Sequence, residues 1–371
     1  MPLDGTVGNS GAVPRNDDPL GLPFGAITDV PGVRVGHHQR TARGWQTGTT
    51  VVMVPGGATP GVDVRGGGPG TRETDALAPD TLVRTIHAVC LTGGSAYGLA
   101  AADGVVRHLE QQRLGFPVGP RPEHVVPVVP AAVIFDLGRG GRFDHRPDAD
   151  FGERAARAAT AAPRRWGAVG AGTGARAGGV QGGVGTAATT VTVPCGDQDH
   201  VAVHVGAIAV VNANGTPLDP ATGLPWLADG LHLRRPAARE RRALVDALNA
   251  PATSLNTTIG VVVTTADLTK AEVSRLAMVA HDGLARAVRP AHSIVDGDTI
   301  FGLATGARQL GSQDEAFGPE ATVGATRIAA VNALLRAAAE TFAAACTHAV
   351  VAATGVGDLP AYLELCPSAR R

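Results

Sequence analysis

Ile259-Gly260-Val261-Val262-Val263-Thr264-Thr265 is apolar without alternation, so this run can only be a buried strand, and the rest of the chain must supply what covers it. Asn256-Thr257-Thr258 stands at the mouth of the strand. A hydroxyl residue behind a small polar residue, at such a place, is where a chain can cut its own backbone and use the new N-terminus as a catalyst. The new α-amine would then be the base and the Thr257 hydroxyl the nucleophile. Many strands begin with Asn-Thr, so the functional reading rests on what surrounds the pair.

The composition narrows the surroundings. At 371 residues the chain can bury a large core. With 50 glycines and 26 prolines it has too many turn formers for a helical bundle, and with only 4% aromatic residues its core must be built from Ala, Val, Leu and Gly. A net charge of -1 offers no basic surface for nucleic acid or an anionic membrane. Cys90, Cys195, Cys346 and Cys366 are scattered and form no C-x-x-C pair, so they read as small buried hydrophobes. Residues 1–22 are polar and carry no apolar signal-peptide core, and no uninterrupted apolar run approaches the ~20 residues a bilayer needs. The expectation is a soluble cytoplasmic protein with residues 1–23 disordered and a single domain over residues 24–371.

Along the chain, strands and helices mix without a regular βαβ repeat. Ile27 to Val35 reads as strand-turn-strand, Thr49 to Val54 as a short strand, and Gly56 to Ala78 as a long glycine-crowded loop, the kind that is more often functional than idle. Ala88 to Leu91 reads as a strand, Tyr97 to Gln112 as a helix, and Gly167 to Gly185 as a second glycine loop. A buried strand spans Val201 to Asn212, and Leu231 to Asn249 is a polar helix and linker. Thr269-Lys270-Ala271-Glu272 is a capping box that opens a helix with Val273, Leu276, Ala277, Ala280, Leu284 and Ala287 at helical spacing. A strand over Thr299–Thr305, a long helix from about Ala325 to Ala345 and a short strand from His348 to Ala353 complete the pattern. The fold class expected is α/β, a layered sandwich rather than a doubly wound sheet.

Several motifs admit both a functional and a purely structural reading. Gly172-Thr173-Gly174-Ala175-Arg176-Ala177 matches a dinucleotide fingerprint, but Gly178, Gly179, Gly182, Gly183 and Gly185 would break the helix that such a site needs. A loop offering backbone donors near an active site fits better. The histidines lack metal spacing, and His37 and His38 would point apart on a strand. Gly94-Ser95-Ala96 lacks the pattern of a nucleophile elbow. Asp296-Gly297-Asp298 is either a turn or a pair of carboxylates placed for acid/base work or for orienting an amine.

Taken together, Thr28-Asp29-Val30-Pro31-Gly32-Val33-Arg34-Val35-Gly36-His37, Arg65-Gly66-Gly67-Gly68-Pro69-Gly70-Thr71-Arg72-Glu73-Thr74-Asp75, Leu91-Thr92-Gly93-Gly94-Ser95-Ala96-Tyr97-Gly98-Leu99, Gly172-Thr173-Gly174, Val211-Asn212 and Asn256-Thr257 resemble the DmpA-type aminopeptidases, also called L-aminopeptidase/D-esterases, with β-peptidyl aminopeptidases among them. The resemblance spans residues 24 to 356, with the motifs in order. It implies an αββα sandwich similar to the N-terminal nucleophile hydrolases but differently connected. It also implies self-cleavage between Asn256 and Thr257 into chains 1–256 and 257–371, with Thr257 where many members have serine. Asn212 falls on the family's oxyanion-stabilising asparagine, and Asp296 and Asp298 fall on a downstream hydroxyl and carboxylate, the first a departure from the common serine. The resemblance implies no metal and no organic cofactor, a peptide or small amide or ester substrate, and a homo-oligomer, a tetramer in relatives. The mechanism expected has the Thr257 amine accept the hydroxyl proton, Asn212 hold the oxyanion, and Asp298 with Asp296 orient the nucleophile's amine or bind the substrate's ammonium. The rival readings are an acyltransferase like the ornithine acetyltransferases, a non-cleaving binding or scaffold descendant, and a dinucleotide-binding protein.

Overall fold

The computed structural model describes residues 25–163, 165–195, 199–250, 255–310 and 322–371, so the expected disorder of residues 1–23 lies outside the described residues. The main strands are β1 (Arg34–Arg40), β2 (Thr47–Val64), β3 (Ile86–Thr92), β4 (Ala131–Val133), β5 (Gly183–Cys195), β6 (Asp199–Val211), β7 (Ile259–Ala266) and β8 (Thr299–Arg308). Their order is β5-β6-β7-β8-β2-β3-β4, ending on the two-residue strand Thr71–Arg72, with β1 added on β2. β2 belongs to two sheets. Its first half pairs with β1 and β3, and its second half, Thr59–Val64, pairs antiparallel with β8. The ladder to β3 slips between Met53 and Ala58, where the strand passes from one sheet to the other.

Strand alternation turns these sheets into layers. Successive side chains point to opposite faces, and here both faces are apolar. Val52 and Val54 of β2, Val89 and Leu91 of β3, Ile208 and Val210 of β6, Ile259, Val261 and Val263 of β7, and Phe301 and Leu303 of β8 meet in one core between the sheets. Val51, Met53, Ala88 and Cys90 point the other way, onto helices α1 (Ala101–Gln111) and α2 (Ala149–Arg157). On the far side Val205, Ala207, Ala209, Val262, Ile300 and Ala304 form a third core with helices α4 (Lys270–Ala287) and α5 (Thr322–Val351), while α3 (Ala238–Leu248) adds Leu244 at its margin. The result is the expected αββα sandwich.

α4 begins where the sequence places it. Thr269 Oγ1 accepts the Glu272 N–H and the Glu272 carboxylate accepts the Thr269 N–H, closing the capping box. α4 lies so close to α5 that a Cβ on Gly283 would sit 2.1 Å from the Ala339 carbonyl, and small residues fill the contact. Over Arg327–Val351 α5 is long and apolar enough to cross a bilayer by length and composition alone. Its apolar side is occupied by the fold, since Leu334, Ala338, Phe342, Ala345, Cys346 and Ala349 lie in the core against the sheet.

Three local expectations fail. Ile27–Asp29 is a 3-10 turn rather than a strand, because the Asp29 carboxylate takes the Ala26 N–H at 2.8 Å and Thr186 Oγ1 takes the Ile27 N–H at 2.7 Å. Gly56 to Val64 is strand rather than loop, since β8 and β3 offer it partners despite Pro60. His348 to Val351 is the last turn of α5 rather than a strand, and burial among Ala residues outweighs the β preference of Val350 and Val351.

Candidate active site

Register brings the expected residues to one end of one sheet. Ile259 of β7 lies opposite Val210 of β6 on one side and Thr299 of β8 on the other, and Thr299 lies opposite Val64 of β2. Asn212 therefore leaves the end of β6, Thr257 precedes the start of β7, Asp298 precedes the start of β8, and the Arg65–Gly70 loop leaves the end of β2, all at the same edge. β7 and β8 run parallel, and the pairing continues beyond the strands through an Asn256–Asp296 bridge and a Thr299 N–H to Thr258 carbonyl bond of 3.1 Å.

Thr257 is held by main chain. Its own N–H donates to the Asn212 carbonyl at 2.5 Å. Its hydroxyl donates to the Asn256 carbonyl, so Oγ1 rests against the Asn256–Thr257 peptide bond. The Gly297 N–H in turn donates to Oγ1 at 3.1 Å. A side chain at position 297 is excluded: its Cβ would lie 2.6 Å from the Gly68 carbonyl and 2.9 Å from Thr257 Oγ1. The turn itself lies just before this segment, at Ile294–Val295, closed by the Asp296 N–H on the Ser293 carbonyl at 3.1 Å, and Gly297 follows it extended towards β8 with its N–H on the hydroxyl.

The glycine loop is what this segment rests on. Arg65 and Gly66 donate their N–H groups to the Asp298 carbonyl at 3.0 and 3.3 Å, and Gly68 donates to the Asp296 carbonyl at 2.8 Å. The carboxylates then fasten the neighbouring backbone. Asp298 accepts the Thr258 N–H at 2.7 Å on one oxygen and, on the other, the His292 N–H at 3.1 Å and Nδ1 at 2.8 Å. Asp296 accepts the Asn214 N–H at 3.2 Å, the Ser293 N–H at 3.2 Å and the Ser293 hydroxyl at 2.5 Å. Burial raises the Asp296 carboxyl above its ordinary range and the nearby Asp298 charge adds to this, while the Ser293 and Asn214 donors oppose it. In the intact chain the Asn212 carbonyl accepts the Thr257 N–H, and Asp298 accepts the N–H of the next residue.

The Asn212 side chain is fixed from one side only. Its Oδ1 accepts the Arg139 guanidinium at 2.5 Å and the Arg176 N–H at 2.9 Å. Two donors on that atom settle which end of the amide is which. They leave Nδ2 turned away, buried and without a partner among the described residues.

Arg139, Gly297, His292 and Ser293 were not visible as site residues in the sequence. Arg139 also donates to the Gly174 carbonyl and, through Nη2, to Asn256 Oδ1 at 3.4 Å. Burial pulls its pKa down to about 10, opposed by the nearby Asp136 charge. Asp136 accepts the Gly94 N–H at 2.6 Å, and burial raises its carboxyl to about 6 against that bond and the Arg139 charge. No helix follows Gly172-Thr173-Gly174. A 3-10 turn, Gly170–Gly172, and a short hairpin, Arg176–Ala177 with Val180–Gln181, present the loop's backbone to Arg139 and Asn212.

The profile of peptidase family S58 matches residues 25–359. The chain belongs to peptidase family S58. This is the DmpA-type family that the motifs resemble. Among its S58 relatives, an uncharacterized aminopeptidase of Mycobacterium tuberculosis is 48% identical over 93% of this chain and 98% of its own length. A 6-aminohexanoate-oligomer endohydrolase of a Kocuria species is 30% identical over 82% of this chain and 81% of its own. In architecture this S58 chain is similar to a Burkholderia β-aminopeptidase, with a TM-score of 0.63 at 24% identity over 92% of this chain and 91% of the other. It is also similar to the L-aminopeptidase D-Ala-esterase/amidase of Ochrobactrum anthropi, described as a variant of the Ntn hydrolase fold, with a TM-score of 0.61 at 19% identity and 91% coverage of each chain.

Proposed function

We propose that this S58 chain cuts itself between Asn256 and Thr257 and then hydrolyses peptides or small amides as an aminopeptidase, with Thr257 as the N-terminal nucleophile. The observation that carries the reading is the set of contacts on Thr257: the hydroxyl against the Asn256 carbonyl, the Gly297 N–H on Oγ1 at 3.1 Å, and the Asn212 carbonyl on its nitrogen at 2.5 Å. In self-cleavage Oγ bonds to the Asn256 carbonyl carbon, the bond to the Thr257 nitrogen breaks, and the hydroxyl proton ends on the new amine. Water then hydrolyses the ester. The freed α-amine has an ordinary pKa of about 7.7–8.0, so near neutrality it can take the hydroxyl proton in each later turnover. The Asn212 carbonyl keeps that amine beside Oγ, and its Nδ2 supplies the oxyanion donor. The names of the M. tuberculosis relative and of the two solved enzymes support aminopeptidase action. Intact mass under denaturing conditions tests the proposal. The wild type should give two fragments, the smaller beginning at Thr257, and Thr257→Ala should remain a 371-residue chain without activity. A cut and active Thr257→Ala product would sink it.

A further inference from the structure

We propose that the place held by Asn256 is the acyl subsite of the cut enzyme, and that Arg139 makes it selective for acyl residues whose short side chain ends in a carbonyl oxygen, asparaginyl and aspartyl amides above all. This rests on the self-processing reading, and its core is a chemical identity. Self-cleavage passes through an ester of the Asn256 carboxyl on Thr257 Oγ. In turnover the same Oγ bonds to the substrate's carbonyl carbon, the substrate's amine leaves with a proton, and the acyl residue hangs from the same oxygen. The two esters differ only in the acyl group. The pocket that holds the Asn256 side chain in the first therefore meets the substrate's acyl side chain in the second.

What that pocket offers is a cation whose Nη2 faces the Asn256 side chain. Asn256 is buried, and its Oδ1 lies 3.4 Å from Arg139 Nη2. Arg139 Nη1 is already engaged by the Gly174 carbonyl and Asn212 Oδ1. Once the cut end at Asn256 gives way to substrate, Nη2 loses that acceptor while the guanidinium stays half-buried and fastened through Nη1. A buried donor left unpaired is costly, and more so on a charged group. A side-chain oxygen with the same reach restores the bond. Leucine keeps the branching of the side chain but restores no hydrogen bond, and a lysyl or arginyl group brings a like charge. Asp136, whose charge acts on Arg139, already offsets the cation, so a neutral asparaginyl group suffices and an aspartyl group adds a charge-assisted bond.

The test is kcat/KM of the cut enzyme on the p-nitroanilides of Asn, Asp, Ala and Leu. The asparaginyl anilide should exceed the leucyl by about tenfold or more, as expected where a polar site meets a ligand lacking its partner. Arg139→Met should bring that ratio near unity, whatever it does to the absolute rates through Asn212. If Arg139→Met does not fold, self-cleavage of Asn256→Leu and Asn256→Asp serves instead, with the first slowed about tenfold and the second close to wild type. A cut enzyme that prefers the leucyl anilide overturns the subsite and leaves the hydrolase reading intact. A chain that is never cut, or is cut and hydrolyses no amide, overturns both.

Discussion

Replacing Asn212 by aspartate keeps the shape of the side chain and exchanges its one unpartnered donor, Nδ2, for an acceptor. The rest of its environment should survive. Oδ1 would still accept the Arg139 guanidinium and the Arg176 N–H, now as charge-assisted bonds, and the main-chain carbonyl would still hold the Thr257 nitrogen. Folding stability should therefore change by no more than about 1 kcal/mol. The chemistry should change much more. If Nδ2 stabilises the oxyanion formed when Oγ adds to a carbonyl, its loss raises the barrier by about 3–4 kcal/mol, which is roughly two to three orders of magnitude in rate.

Self-cleavage gives a reading without any choice of substrate. Freshly made protein is sampled over time, denatured and weighed, and the fraction of 371-residue chain is followed as it becomes 256 residues plus 371 − 256 = 115 residues. Circular dichroism and a denaturant midpoint on the same samples establish that Asn212→Asp is folded. A folded variant that is cut as fast as wild type would refute the oxyanion role of Asn212, and the orphaned amide would then need another explanation.

Gly297→Ala places a Cβ 2.6 Å from the Gly68 carbonyl and 2.9 Å from Thr257 Oγ1, so it should cost about 1–3 kcal/mol of stability and stop or greatly slow the cut; normal cleavage by mass would show that this segment does not hold the hydroxyl. Asp298→Asn turns one of the two acceptor atoms that serve Thr258 and His292 into a donor, so the denaturant midpoint should fall by the equivalent of about 1–3 kcal/mol and cleavage should slow; an unchanged midpoint would argue against the clamp. His281 is fully buried with its pKa lowered from 6.5 to about 4, chiefly by desolvation, so the folded state favours the neutral ring. The stability this gives is present above pH 6.5 and is lost as the pH falls towards 4, about 2 kcal/mol of it by pH 5. Chemical denaturation at pH 7.5 and 5 should show that loss in wild type and much less of it in His281→Gln. Asp136, raised to about 6, works in the opposite sense, because its protonated form is favoured on folding and its contribution disappears as the pH climbs from 3.8 through 6.

What the sequence revealed of the site followed from where strands end. Thr257, Asn212 and Asp298 each adjoin a strand whose apolar run is legible without a structure, and sheet register then places such ends side by side. The layered fold was legible for the same reason, since runs such as Ile259–Val263 demand cover on both faces. Arg139 was not legible. It is one of 32 Lys and Arg residues, it sits in an irregular glycine-rich segment, and its partners are 35, 73 and 117 positions away along the chain. Asp296-Gly297 has the composition of a turn, but the structure turns at Ile294–Val295 and uses the Gly297 N–H on Oγ1, with the Arg65–Gly68 loop bonded to the residues on either side, contacts no local pattern encodes. The Gly56–Val64 strand is not legible because its glycines and Pro60 carry turn preferences, which the ladder of Thr59–Val64 with β8 overrides.

The strand order decides what a cut at Asn256 can do to the molecule. Residues after the cut provide β7 and β8, paired with each other in parallel. Residues before it provide the flanking strands, with β6 pairing with β7 from Val205 to Val210 and β2 pairing with β8 from Thr59 to Val64. The central pair of that sheet would belong to one fragment and both of its neighbours to the other, while α4 and α5 of the second fragment share a core with β5 and β6 of the first. Separating the fragments would expose two ladders of backbone groups and an apolar core, so breaking one peptide bond frees the Thr257 amine without freeing the chain that carries it. The same interleaving places Asn212 from one fragment against Thr257 from the other. A cut there would thus give Thr257 a free terminus, while the carbonyl beside its nitrogen and the Asn212 side chain stay fixed in the neighbouring strand end.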